Sequence, residues 1–266
     1  MKIGFIGTGN MGGALARAAA KGGHTLLLAN RTPAKAEALA QELGGTVCPN
    51  AEAAETAELL FLGVKPQGLP GLAGELAPVL QARKGNAPVV VSMATAVTLR
   101  ELDAMLGGGL PLIRIMPNTP AAVGAGTILY AAQNVTDAQL NAFRTVLAQA
   151  GLLLPLPEAQ IGAASAISGC GPAFCFQFAD ALALGGVRAG LSYPDACRLA
   201  AQTMLGAAEM LLQGGEAPDV LKMRVCSPAG TTIEGVLALE QGGFSYTVQN
   251  AVTAAYRRTV EMTKKG

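Results

Sequence analysis

Residues 2–12, Lys2-Ile3-Gly4-Phe5-Ile6-Gly7-Thr8-Gly9-Asn10-Met11-Gly12, decide the fold. The first five are an apolar run of strand length. The next six are a glycine turn, and an alanine-rich stretch to about Ala20 follows with helical character. Strand, turn and helix in this order make a dinucleotide pyrophosphate site. Gly7 supplies the tight turn, Gly9 lets phosphates approach the backbone, and Gly12 lets the helix pack close to the strand. Thr8, Asn10 and Met11 fill the turn between them, and the free amides at the helix start face the anion. A glycine turn in an unrelated α/β protein is the weaker reading.

The second strand, expected over 25–30, ends in Asn30-Arg31-Thr32 and lacks the acid that would hold both adenosine ribose hydroxyls of NAD. Arg31 can pair with a 2′-phosphate, and Asn30 and Thr32 can donate to it, so NADP(H) is preferred over NAD(H). The competing reading has Arg31 stacked beside adenine, with both cofactors usable. His24 is the only histidine and falls at the base of the first helix, away from the glycine turn, which makes it structural.

Outward from there the alternation continues, with a helix over 33–43 and strands over 58–64, 88–93 and 110–115. Near-continuous apolar strands joined by crossovers predict a parallel sheet covered on both faces, with ligands at the strands' C-terminal ends. Those ends hold Gly63-Val64-Lys65-Pro66, Ser92-Met93-Ala94-Thr95 and Met116-Pro117-Asn118-Thr119-Pro120. Val64, Lys65, Pro66 and Ala94 are therefore candidate cofactor neighbours, Lys65 standing equally as a surface charge. Asn118, stiffened by flanking prolines, is a candidate contact near the nicotinamide or the substrate, against a purely structural turn. Outer strands over 127–131 and 152–154 are expected around a helix at 136–150.

Strand signals stop after Pro155-Leu156-Pro157, and helices are expected over 160–167, 172–189, 193–213, 219–226, 230–241 and 244–264. The fold class is thus α/β: a Rossmann-type, mostly parallel sheet domain over 1–157, then an all-helical domain over 158–266. The helical half has few charges and small residues on several faces, so a lone copy would expose too much apolar area. A homodimer with intertwined helices is expected.

Composition narrows the function. The 266 residues are 51% hydrophobic but only 4% aromatic, with 34 glycines, 50 alanines and no tryptophan, so the core is aliphatic and close-packed. The 19 basic and 18 acidic residues balance, and the clusters Arg257/Arg258 and Lys264/Lys265 are too small for a phosphate-backbone footprint, so no nucleic-acid partner is expected. The uncharged runs 115–136 and 159–179 are long enough to span a bilayer but carry Pro117, Asn118, Pro120, Ser168, Gly169, Gly171 and Pro172. They read as buried soluble segments, and no membrane partner is expected. The chain opens on a core-type strand, giving a cytoplasmic expectation. Cys48, Cys170, Cys175, Cys197 and Cys226 are scattered without a CxxC and read as reduced thiols.

Zinc-protease, nucleophile-elbow, tyrosine-lysine and Cys/His signatures are lacking, so no metal is expected and a histidine base is improbable. Two glycine-proline turns before helices remain: 168–172, SGCGP, and 227–232, SPAGTT. Their hydroxyls and free amides fit a carboxylate nest, with simple helix caps as the alternative.

Together, IGFIGTGNMGGAL, NRTPAKAEAL, FLGVKPQ, RIMPNTPAAVGAG, AISGCGPAF and SPAGTTIEGVLALE resemble the pyrroline-5-carboxylate reductase family over essentially residues 1–264. The resemblance implies hydride transfer from NAD(P)H to the C=N carbon of L-Δ1-pyrroline-5-carboxylate, giving L-proline as the last step of proline synthesis. It also implies dimers interleaved through the C-terminal helices, and a decamer of five dimers in many members. In family terms Ser227 and the amides of Ala229, Gly230, Thr231 and Thr232 form the small-molecule carboxylate site, with the Thr232 hydroxyl at the ring nitrogen. A protonated cyclic imine is already electrophilic, so Thr232 orients rather than serving as an obligate proton donor. Two departures stand out: Cys170 and Phe174 replace the family's Ser and Tyr, and Ala229 replaces a Gly, which restricts positive φ. Alternatives are a reductase of a related cyclic imino acid, such as the six-membered piperideine homologue or an N-alkyl imine, and a non-enzymatic NADP-binding regulator.

Overall fold

The computed structural model describes residues 1–83 and 85–263. The proposed basic pair Lys264/Lys265 and the last residue of the helix expected over 244–264 lie outside the described residues. The chain divides into two compact units: one of Met1–Cys170 with Tyr256 onward, the other Gly171–Ala255.

In the first unit the described residues form an eight-stranded sheet in the order β3-β2-β1-β4-β5-β6-β7-β8. The strands are β1 Lys2–Ile6, β2 Thr25–Ala29, β3 Thr46–Val47, β4 Leu59–Leu62, β5 Val89–Ser92, β6 Leu112–Met116, β7 Gly126–Gln133 and β8 Gly151–Pro155. All neighbours pair in parallel except β6 and β7. The helices are α1 Asn10–Ala20, α2 Pro33–Leu43, α3 Asn50–Thr56, α4 Leu69–Ala82, α5 Leu99–Met105, α6 Asp137–Leu147 and α7 Ile161–Ser168.

The sheet buries both faces, as its unbroken apolar strands require. On one face Ile3, Phe5, Leu28, Phe61, Val91 and Ile113 pack with α1, α2 and α6; Phe5 and Phe61 stack at 4.5 Å. On the other, Leu60, Leu62, Val90 and Leu112 meet Leu69, Leu76 and Leu80 of α4 and Leu99 and Leu102 of α5. Removing one such leucine to alanine costs roughly 2–5 kcal/mol.

The strands end at Pro155, but the first unit extends past the expected division at 157, through α7 to Cys170. Three contacts hold α7 and the turn before it against the sheet. Ile161 is buried in the second core cluster, Glu158 pairs with Arg114 of β6 at 2.9 Å, and Asn118 donates to the Ser168 carbonyl at 2.9 Å. Glu158 also accepts from the first amide of α5, that of Leu99, at 2.7 Å. α7 thus packs on the sheet although it is helical.

The second unit holds α8 Gly171–Arg188, α9 Tyr193–Gly214, α10 Pro218–Val225, α11 Thr231–Gln241 and the first part of α12 Phe244–Thr263. The stretch Glu158–Arg188 is apolar and long enough to cross a membrane by composition, at mean hydropathy 1.3, but Gly169 and Cys170 interrupt it between α7 and α8. Among the described residues from 171 on, only Ala183, Ala196 and Ala200 are buried. Phe176, Leu212 and Tyr246 are 69%, 81% and 71% exposed.

Candidate functional site

The glycine turn closes by backbone contact. Gly7 sits at φ +98°, and a Cβ there would fall 2.5 Å from the Gly63 carbonyl oxygen. A Cβ on Gly12 would fall 2.0 Å from the Gly7 oxygen, whereas one on Gly9 would meet nothing. Gly7 and Gly12 are thus demanded by packing, and Gly9 leaves open space where phosphates would approach. Gly63, on the neighbouring strand end, is part of the same close approach. Gly9 caps α1 without a side-chain bond, so the amides of Asn10, Met11 and Gly12 have no side-chain acceptor at the cap.

Beside this turn lies a cleft of about 880 Å³, lined from the ends of β1 to β4. It gathers Gly7, Gly9, Asn30, Arg31, Thr32, Val64 and Lys65 from the expected set. Lys35, Cys48, Pro49, Asn50, Gln67 and Glu75 join them, none of which the sequence reading selected. The two-residue strand β3 is too short to announce itself, so the Cys48–Asn50 corner had no pattern to betray it beyond Pro49-Asn50 ahead of a helix. Lys35 lies in the first turn of α2, just past the loop that carries Arg31. The cleft carries three cations, Arg31, Lys35 and Lys65, against one carboxylate, Glu75. That balance and the open Gly9 fit a polyanionic dinucleotide. Burial, then the charge of Glu52, pushes the Cys48 thiol upward, which keeps it protonated rather than nucleophilic.

Several expected contacts are engaged otherwise. The Asn30 carboxamide accepts from the Thr8 amide at 3.1 Å and donates to the Thr32 carbonyl at 2.9 Å. It therefore braces the glycine turn against the Arg31 loop, with one of its two N–H donors used by Thr32. Thr8 itself is buried, with its hydroxyl unpartnered. Asn118 is also spent at both ends, accepting from the Thr127 amide at 2.8 Å while donating to Ser168. Its side chain shapes the loop, which is the structural alternative. Pro66 opens a short 3-10 turn, Pro66–Gly68, and Ala94 is buried behind Ser92; neither side chain lines the cleft. His24 stands just before β2, at the strand ends opposite the glycine turn, where the Thr25 amide donates to the Met1 carbonyl.

The first of the two proposed carboxylate nests is partly used. The amides of Gly169 and Cys170 both bond the Ser165 carbonyl, and the Ser168 hydroxyl donates to the Ala164 carbonyl at 3.2 Å. These groups finish α7 and are not offered to an anion. The second turn is different. Ser227 and Gly230 close it with one backbone bond of 3.0 Å, Ala229 takes φ +56°, and α11 starts at Thr231 with Gly230 as a cap that has no side chain. The first-turn amides are not capped by a side chain, and Ser227, Thr231 and Thr232 are exposed around them. The result is a helix start with uncapped first-turn amides and three exposed hydroxyls, a geometry suited to an anion.

Known proteins share this arrangement. Residues 158–262 match the family described as pyrroline-5-carboxylate reductase dimerisation, and residues 2–96 match that described as NADP oxidoreductase coenzyme F420-dependent. A pyrroline-5-carboxylate reductase of Synechocystis is 41% identical over 81% of this chain and 79% of its own. The structure of such a reductase from Coxiella burnetii superposes with TM-score 0.90 at 32% identity, covering 97% of both chains. The crystal structure of Plasmodium falciparum pyrroline carboxylate reductase with NADP bound gives 0.85 at 29% identity over 99% of both. The chain belongs to the pyrroline-5-carboxylate reductase family.

Proposed function

We propose that this protein reduces L-Δ1-pyrroline-5-carboxylate to L-proline, with NADPH as the preferred reductant and NADH as a poorer one. One observation carries the reading: in a chain of this family, a glycine turn with an open Gly9 faces a cleft bearing Arg31 and Lys35. When bound, the dinucleotide would supply the hydride that reduces the imine carbon. The chain's own residues do the positioning. Arg31, Thr32 and Lys35 receive the 2′-phosphate, and Asn30 holds their loop against the glycine turn. The α1 amides receive the pyrophosphate. Val64 and Lys65 line the same cleft, and the loops holding Pro66, Ala94 and Asn118 shape the strand ends beside it.

In the second unit the Ser227 hydroxyl and the amides of Ala229 to Thr232 hold the substrate carboxylate. The Thr232 hydroxyl orients the ring nitrogen, which arrives protonated, so no acid of matched pKa is required there. The absorbance of NADPH followed with the five-membered imine tests this. Thr232→Ala is expected to lower kcat/KM about 10–100-fold, or roughly 1.4–2.7 kcal/mol; an unchanged value removes Thr232 from the site. Turnover of the six-membered ring under matched conditions settles ring size, and much faster six-membered turnover overturns the substrate reading.

The apolar faces of α8 to α12 are covered, in this reading, by a second copy through interleaved helices, and five such dimers make a decamer. The reading includes neither nucleic acid nor membrane among the partners. Five free cysteines suit a reducing compartment, and the cytoplasm is the proposed location. Mass in solution distinguishes dimer from decamer.

A further inference from the structure

Glu75 is the one carboxylate among the described residues that line the cleft, and beside a polyanion it works against binding. Its geometry gives it another task. Glu75 Oε2 accepts a hydrogen bond from Asn50 Nδ2 at 3.0 Å. A carboxylate only accepts, so the orientation of the Asn50 amide is fixed by chemistry: the nitrogen faces Glu75, and Oδ1 is the unengaged end. The cleft's other carboxamides differ. Asn30 is held at both ends, and Gln67 has no side-chain hydrogen bond among the described residues to hold it. Asn50 alone is held at one end only.

Asn50 opens α3 just past β3, the strand neighbouring β2, whose end carries Arg31. The cleft takes no residue from the ends of β5 or β6. On the dinucleotide reading above, on which this inference rests, Asn50 therefore serves the adenosine half. We infer that Glu75 is a positioning residue, locking Asn50 so that its Oδ1 accepts a hydrogen bond from adenosine. The donors there are the adenine 6-amino group and, with the 2′ position phosphorylated, the ribose 3′-hydroxyl.

Equilibrium binding of NADPH and of its 6-oxo (deamino) analogue tests the inference, using the full-length protein and the variants Glu75→Leu, Glu75→Gln, Asn50→Ala and Glu75→Leu with Asn50→Ala. Glu75→Leu frees the amide and is expected to weaken NADPH binding about 5–10-fold although it removes a repelling charge. Asn50→Ala shows a similar loss, and the double variant is no worse than either single one, because one interaction is being removed twice. Glu75→Gln retains most of the affinity, since its Oε1 still accepts from Nδ2. A preference for NADPH over the 6-oxo analogue that vanishes in Glu75→Leu assigns the donor to the amino group. Equal weakening of both cofactors assigns it to the 3′-hydroxyl. Tighter NADPH binding in both Glu75 variants, or additive losses, overturns the inference. Absence of NADPH binding by the unmodified protein overturns the cofactor reading itself, while binding without pyrroline turnover leaves the inference standing.

Discussion

The two units satisfy the same aliphatic composition in opposite ways. The first buries whole leucines, valines and phenylalanines on both faces of a sheet, and its largest side chains are fully enclosed. The second forms long, regular helices yet encloses only three alanines among the described residues from 171 on. Helix formation is local, whereas a core is a property of whatever surfaces meet. The first unit carries its core within one chain. A lone second unit leaves aromatic and aliphatic side chains in water at a scale that monomers do not sustain, which is the physical mark of a surface made for another chain.

The largest expected effect attacks the first unit alone. Gly12→Ala places a Cβ 2.0 Å from the Gly7 carbonyl oxygen, a contact that no rotamer relieves. A loss of about 3–5 kcal/mol in unfolding free energy and the disappearance of NADPH binding are expected, by thermal denaturation and titration. The mass in solution should not change, because the apolar faces of α8 to α12 are untouched. A change in mass would show that assembly depends on the glycine turn and would erase the contrast between the units.

The reverse experiment follows. Phe176→Asp puts a charge at a side chain 69% exposed on α8. If a second copy covers that face, the substitution weakens association by about 2–4 kcal/mol and lowers the mass by light scattering, while NADPH titration of the first unit is preserved. An unchanged mass removes this face of α8 from the interface.

Much of both units was legible in the chain. Seven of the eight strands and most helices followed from runs of apolar residues and from turn residues, because each signal is local. What escaped was what depends on contact. The two-residue β3 had no period to detect, so the cleft wall at Cys48 to Asn50 stayed hidden. Asn30 and Asn118 were recognisable as lying at strand ends, but only the folded chain reveals that their amides bond Thr8, Thr32, Thr127 and Ser168. The SGCGP turn read as a nest from its residue types, and the amides of Gly169 and Cys170 proved to belong to α7. Sequence thus told which residues lie at the strand ends, and geometry told which of their hydrogen-bonding groups remain unspent.

An intermediate effect sharpens the first unit's role. Arg31→Ala is expected to weaken NADPH about 10–100-fold, the worth of a charge-assisted bond to phosphate, and to leave NADH within about twofold. Initial rates with both cofactors read this directly. Equal loss with both would mean that Arg31 stacks on adenine, the alternative the sequence left open.

The smallest effect probes both units by the same chemistry. Ala96, after β5, and Ala229, in the proposed carboxylate loop, hold φ of +64° and +56°, where a Cβ costs roughly 1–2 kcal/mol. Glycine removes that cost but adds about 0.5–1 kcal/mol of unfolded-chain entropy, so Ala96→Gly and Ala229→Gly should each stabilise by about 0.5 kcal/mol, or roughly 1–2 °C. The functional consequences should separate. Ala229→Gly loosens the loop whose amides receive the carboxylate, so KM for the imine should rise about two- to threefold while KM for NADPH stays put. Ala96→Gly should leave the imine KM alone. If the two variants behave alike, the positive φ at Ala229 is only a detail of chain geometry. If they part, this chain keeps a strained alanine at 229 because the stiffness it imposes on the loop holds the amides ready for the anion.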